Sequence, residues 1–97
     1  MRHSFTIIDS FRSTEALQAQ GLNLPLGTWL VLDGRFGSAA ELPPPGSSVV
    51  VVTPDGERIH TSIACAEVRH GSGAVTLAPA PDKVPRLSVL SVVENGA

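Results

Sequence analysis

The stretch from Gly27 to Val68, GTWLVLDGRFGSAAELPPPGSSVVVVTPDGERIHTSIACAEV, decides the fold. It consists of short β-prone runs separated by glycine and proline, and no run in it carries the 3.6-residue periodicity of a helix. Val49–Val52 and Arg58–Ala64 are joined by Thr53-Pro54-Asp55-Gly56. That order sets proline, aspartate and glycine where a type I turn with a following left-handed residue needs them, and it predicts a hairpin. On the second strand Ile59, Thr61 and Ile63 share the inward face, and Arg58, His60 and Ser62 the outward one. Val68 falls out of that alternation, so a bulge is expected near Cys65. Thr28–Leu32 is a continuous apolar strand ended by Asp33-Gly34. Pro43-Pro44-Pro45 withholds amide donors, which keeps the loop Gly37–Gly46 out of any central strand and makes it a stiff spacer.

Working outward, Ser4–Phe11 alternates, with Phe5, Ile7, Asp9 and Phe11 on one face, and it is the expected first strand. The phenylalanines mark that face as the core face, which places Asp9 near its end and in need of a partner. Arg12–Leu26 breaks the β pattern: Ser13 or Thr14 can cap a helix, Glu15 suits its first turn, and Gly21 can close it. At most two helical turns fit there, anchored by Leu17, Leu22, Leu24 and Leu26. Beyond the central stretch, Arg69–Gly73 is expected as a loop, Ala74–Ala78 as a strand, Pro79–Pro85 as a proline-bounded excursion and Leu87–Val93 as the last strand.

At 97 residues the chain is one domain with a modest core. Valine, leucine and isoleucine dominate its apolar residues and there is no tyrosine, so the core is expected to be aliphatic and the fold all-β. A net charge of −2 gives no broad cationic field for nucleic acid. Cys65 is the lone cysteine, which excludes an intramolecular disulfide and fits a reducing cytoplasm. The opening MRHSFTIIDSF lacks the uninterrupted apolar run of a signal peptide, and no stretch approaches the ~20 apolar residues that cross a bilayer.

These residues, in order, resemble a known family. Phe5-Thr6-Ile7-Ile8-Asp9-Ser10-Phe11, then Gly27-Thr28, Gly34-Arg35-Phe36, Gly46, Ala66-Glu67-Val68 and Val84-Pro85-Arg86 are similar to the second, β-barrel domain of translational GTPases such as elongation factor Tu. The likeness runs over nearly the whole chain, although each piece is only a few common β residues. It implies a closed antiparallel barrel of six or seven strands, with Arg12–Leu26 inserted between the first two, so that replacing the insertion by a short glycine turn is expected to leave the fold standing. It also implies that Asp9 and Glu67 stand near a pocket for the terminal adenosine of aminoacyl-tRNA. The chain departs from the family at three points. The insertion replaces the tight Gly-Arg-Gly turn, the bulge glycine is Cys65, and the glycine after the final arginine is Leu87.

No Gly-x-x-x-x-Gly-Lys-Ser/Thr loop occurs, so neither a nucleotide nor any other cofactor is expected. The three histidines have no metal-ligand spacing. Trp29 sits in the most apolar strand and is expected to pack in the core rather than to stack on a base. The chain is therefore expected to be a non-enzymatic binding module acting through a protein partner. One alternative is an RNA-binding barrel using Arg35, Arg58, Arg69 and Arg86, which requires those arginines to converge. Another is a small hydrolase with Cys65 as nucleophile and His60 or His70 as base, which requires the thiol and an imidazole side by side.

Overall fold

The computed structural model describes residues 3–21, 23–81 and 84–93. Its strands are β1 (Ser4–Ser13), β2 (Gly27–Leu32), β3 (Ser48–Val52), β4 (Arg58–Arg69), β5 (Ser72–Leu77) and β6 (Val89–Val92). A short helix α1 (Glu15–Ala19) lies between β1 and β2, and a 3-10 turn spans Ala39–Glu41. Every strand pairing is antiparallel, and the order β1-β2-β5-β4-β3-β6 closes into a barrel because β6 pairs with β1 as well as with β3. The fold is all-β, as the composition implies.

Alternation fills the inside of the ring. Phe5 and Ile7, Leu30 and Leu32, Val49 and Val51, Ile63, Val75 and Leu77, and Leu90 are all buried in one cluster, each strand giving every second residue. Two further members, Phe36 and Leu42, come from the connection between β2 and β3. They close one end of the ring. The backbone there is pinned locally: the Glu41 carboxylate accepts the amides of Gly37 and Ser38, and the Ser38 hydroxyl accepts that of Ala40. Gly73 makes room for the plug, because a Cβ on it would stand 2.8 Å from the Phe36 ring and 2.9 Å from a Leu42 methyl.

The hairpin of β3 and β4 forms as its turn chemistry requires. Gly56 adopts φ +94° and its N–H donates to the Thr53 carbonyl at 2.9 Å. The Thr53 hydroxyl donates to the Asp55 carboxylate and accepts the Glu57 amide at 3.0 Å. The Thr53 hydroxyl, and after it the Glu57 amide, hold the Asp55 carboxyl below its ordinary range. A carboxylate depressed in the folded state adds stability above its unfolded pKa of ~3.9, and that contribution disappears as pH falls through the folded value. Asp55→Asn should therefore melt lower than the parent at neutral pH. The gap should close as pH falls through the depressed folded value, where the parent side chain also becomes neutral. A gap that persists unchanged in melts at low pH would show that the carboxylate charge has no part in the turn.

The expected bulge in β4 lies between Ile63 and Cys65, and it restores Ala66 and Val68 to the core side. A second bulge, absent from the sequence pattern, lies in β1 between Ile7 and Asp9. It turns Asp9 outward, so Asp9 does not continue the core face of Phe5 and Ile7. Its carboxylate is exposed and accepts the Ser10 amide at 2.8 Å. The segment Arg69–Gly73 is a tight hairpin rather than a loop: Arg69 pairs with Ser72 across His70 and Gly71, with φ +52° and +81°. Two left-handed residues are what a type I′ turn requires, and histidine tolerates that region better than most side chains.

The last strand starts at Val89, because Pro85–Ser88 is itself a turn. The Ser88 N–H donates to the Pro85 carbonyl at 3.3 Å, and Leu87 has φ +70°. A left-handed third residue is the mark of a type II turn, normally met by glycine. Three bonds hold this turn against the β1 bulge: Leu87 N–H to the Ile7 carbonyl at 2.7 Å, Ile7 N–H to the Ser88 carbonyl at 2.8 Å, and Arg86 Nε to the Ile8 carbonyl at 2.9 Å. Leucine in this conformation costs about 1–2 kcal/mol. Glycine gives part of that back through its freer unfolded chain, so Leu87→Gly should stabilise the domain by roughly 0.5–1 kcal/mol in denaturant titration.

The segment between β1 and β2 builds a second, smaller core on the outside of the ring. Phe11 pairs with Trp29 on the outer side, and Trp29 is fully buried although it faces away from the barrel interior. The carbonyl of Leu24 accepts the Ser13 hydroxyl at 3.1 Å and the Gln18 amide at 2.8 Å, while the Trp29 indole donates to the Pro25 carbonyl at 3.0 Å. These bonds fold the segment over the tryptophan. Leu24 is its buried anchor and Leu17 is half-buried, but Leu26 is exposed; Leu22 lies outside the described residues. Removing 12–26 would take away the last residues of β1 and the cover of Trp29, so the segment contributes to the packed structure rather than standing apart from it as a bare insertion.

Candidate outer groove

Asp9 and Glu67 occupy one cross-strand row on the outer face. Asp9 is opposite Val31, Val31 opposite Ala74, and Ala74 opposite Glu67. Three interstrand steps separate the two carboxylates, roughly 14 Å. They share a face, not a pocket. Glu67 lines a groove of about 200 Å³ together with Phe11, Leu24, Val31, Arg69 and Ala74, and Asp9 stands outside it.

The groove exists because the segment after β1 folds back. Leu24 forms its roof from the same carbonyl-anchored loop that covers Trp29. Arg69 ties the roof to β4, its Nη2 donating to the Asn23 carbonyl at 2.7 Å. Its Nε stands 4.0 Å from a Glu67 carboxylate oxygen, with both side chains nearly half exposed. An ion pair so exposed contributes about 0–1 kcal/mol. The groove is thus apolar along its floor and roof, with one carboxylate and one committed guanidinium on its rim. The family resemblance named Glu67 together with Asp9 for an adenosine pocket, whereas Leu24, Val31 and Ala74 became groove residues only through ring closure.

The four candidate arginines do not converge on one face. Arg35 lies over Gly71, where an added Cβ would stand 3.2 Å from its Nη2, so Arg35 and Arg69 both lie at the β4–β5 turn. Arg58 begins the same strand that Arg69 ends, and twelve extended residues set them roughly 35 Å apart. Arg86 is held on the Ile8 carbonyl by its Nε. Cys65 is half-buried on β4, with His60 and His70 each five residues away along the chain. Since β4 is extended and His70 lies just past its end, neither imidazole comes within hydrogen-bond distance; about 16 Å separates His60 from the thiol. Among the described residues no group of three or more His, Cys, Asp or Glu side chains is placed to hold a metal ion.

Two other concavities flank the ring. One of about 220 Å³ lies where Ser10, Thr28 and Leu30 on β1 and β2 face Leu77 and Val84. The other, about 310 Å³, runs along Ala39–Pro45, with Ala66 and Val92 on its far side. Pro43 is buried against it, while Pro44 and Pro45 are exposed and start the turn into β3. No helix of the described residues is long and apolar enough to cross a membrane. Compared with protein-family models, with curated proteins and with solved structures, the chain matches none of them.

Proposed function

We propose that the chain is a non-enzymatic binding module, built on a β-barrel of the translation-factor type, that acts through a protein partner at the roofed outer groove. The observation that carries this reading is the chemistry of the groove. Its lining is Phe11, Leu24, Val31 and Ala74, and its one guanidinium, from Arg69, already serves the Asn23 carbonyl. Such a site favours an apolar side chain of a protein over a phosphate, whose binding needs unengaged cations converging on one spot.

Two backbone features support the translation-factor likeness. Leu87 adopts the left-handed φ of +70° where the family carries a glycine, and β4 shifts register between Ile63 and Cys65 where the family carries its bulge glycine. The RNA alternative is weakened by the dispersal of Arg35, Arg58, Arg69 and Arg86. The hydrolase alternative is weakened by the separation of Cys65 from His60 and His70.

Affinity capture from native lysate, with and without nuclease, tests the proposal against a Val31→Asp control. Val31 is half-buried on the outer face, so the charge enters the groove without entering the barrel core. A protein captured by the parent should survive nuclease treatment and be lost with Val31→Asp. Labelled acceptor-stem RNA should bind no better than ~100 μM at physiological salt, the non-specific regime. Micromolar RNA binding lost on Glu67→Ala would overturn the proposal in favour of a tRNA-end binder.

A further inference from the structure

Of the four large hydrophobic side chains exposed among the described residues, three, Leu87, Val89 and Val93, lie on β6 or beside its ends. Val89 and Val93 stand an even number of residues apart, with Leu90 and Val92 turned inward between them, so both are on the outside of the ring, and Leu87 is exposed in the turn that precedes β6. Val89 is opposite Val52 and Val52 opposite Arg58, so the apolar strip continues across β3 to a guanidinium. At its other end Arg86 precedes Leu87. We propose that this outer face of β6 is a second docking surface, for a short protein segment that presents apolar side chains beside a carboxylate, with Leu87 as the anchor.

The backbone argument comes first. A leucine held at φ +70° and 65% exposed gains almost nothing from its own fold, yet three hydrogen bonds from β1 keep it there. Strain that the surrounding structure maintains is a mark of functional positions. Charge supplies the second argument. Neither Arg58 nor Arg86 forms an ion pair with any described residue, and Asp9, just past the β1 bulge, has its carboxylate on the Ser10 amide. Arg86, like Arg69, already serves a backbone carbonyl, so Arg58 is the cation available to a carboxylate on the partner.

Area and topology restrict the occupant. The three side chains expose roughly 250 Å², far below the ~800 Å² that each subunit of a standard interface buries, so a second copy is disfavoured and a short segment fits. Both edges of β6 are already paired, with β1 and with β3, which excludes docking by strand addition. Recognition must run through side chains. The proposal shares with the preceding one only the class of partner, and its face is separate from the groove walled by β1, β2, β4 and β5.

A phage library of random short peptides, selected on the intact chain, is the probe. An enriched peptide is synthesised, labelled and titrated by fluorescence anisotropy. Enriched sequences should pair bulky apolar residues with aspartate or glutamate. Leu87→Gly should weaken binding by about tenfold or more, as loss of an anchor does, while raising the melting temperature. Arg58→Gln should weaken it less, and Val31→Asp should leave it unchanged. No enrichment, or binding indifferent to Leu87→Gly, overturns the proposal. So does binding lost with Val31→Asp and kept with Leu87→Gly, which would place the peptide in the groove and leave the proposed function standing. A dimer in sedimentation velocity that Leu87→Gly dissolves would name a second copy as the occupant and overturn it too.

Discussion

Trp29→Ala should lower the stability of the domain by about 3–5 kcal/mol, read as a fall in the guanidinium midpoint at constant slope. The side chain is fully buried, yet it belongs to no part of the barrel interior. Its cover is a single turn of helix and a loop whose fixed points are the carbonyls of Leu24 and Pro25. Alanine would leave the Pro25 carbonyl without its donor and open a cavity under Leu24. Since a domain of this size is stable by only ~5–15 kcal/mol, much of the margin goes with it. Trp29→Phe separates the two effects: it keeps most of the packing and loses the indole hydrogen bond, at about 1 kcal/mol. A cost below about 1 kcal/mol for the alanine variant would show that the cover is open in solution and that the groove beside Glu67 has no roof.

A comparable loss, about 3–5 kcal/mol, is expected for Phe36→Ala, with a different signature. Phe36 enters the ring from the connection after β2, meets the Phe5 ring at a centroid distance of 6.1 Å, and lies against the bare backbone of Gly73. Its removal takes the plug from one end of the barrel, so the residues it anchors should loosen before the strands do. Limited proteolysis should show new cleavage between Gly37 and Ser48 under conditions where the parent is resistant. Cleavage confined to the segment between β1 and β2 would assign the plugging role elsewhere.

What the sequence made legible was local. Thr53-Pro54-Asp55-Gly56 sets its own turn, and the slip of alternation around Cys65 shows within a few residues, so both could be read directly. The β1 bulge could not. Phe5, Ile7, Asp9 and Phe11 alternate without a fault, and Asp9 is turned outward beside a site where Ile7 and Ile8 bind the Pro85–Ser88 turn, 78 residues away for the Arg86–Ile8 bond. Trp29 was rightly expected to be buried, but on the wrong side of its sheet. Its burial depends on where a thirteen-residue connection, 14–26, comes to rest, and no periodicity encodes that. The groove was not legible: Glu67 was singled out only by resemblance and only beside Asp9, which stands outside it. Its other walls come from β1, β2, β5 and the roof, and they meet only when the ring closes. The dispersal of the arginines has the same origin: spacing along the chain says nothing about the two ends of a twelve-residue strand.

The pairing of β1 with β6 sets Ser4 opposite Ser91, with a hydrogen bond of 3.2 Å between their hydroxyls. The first and last strands therefore run side by side in opposite directions, and the polypeptide enters and leaves the described body at nearly one point, about 5 Å apart. That seam joins residues 87 apart, so it is the longest closure in the ring, and the entropy of bringing its two edges together falls on the last step of barrel formation.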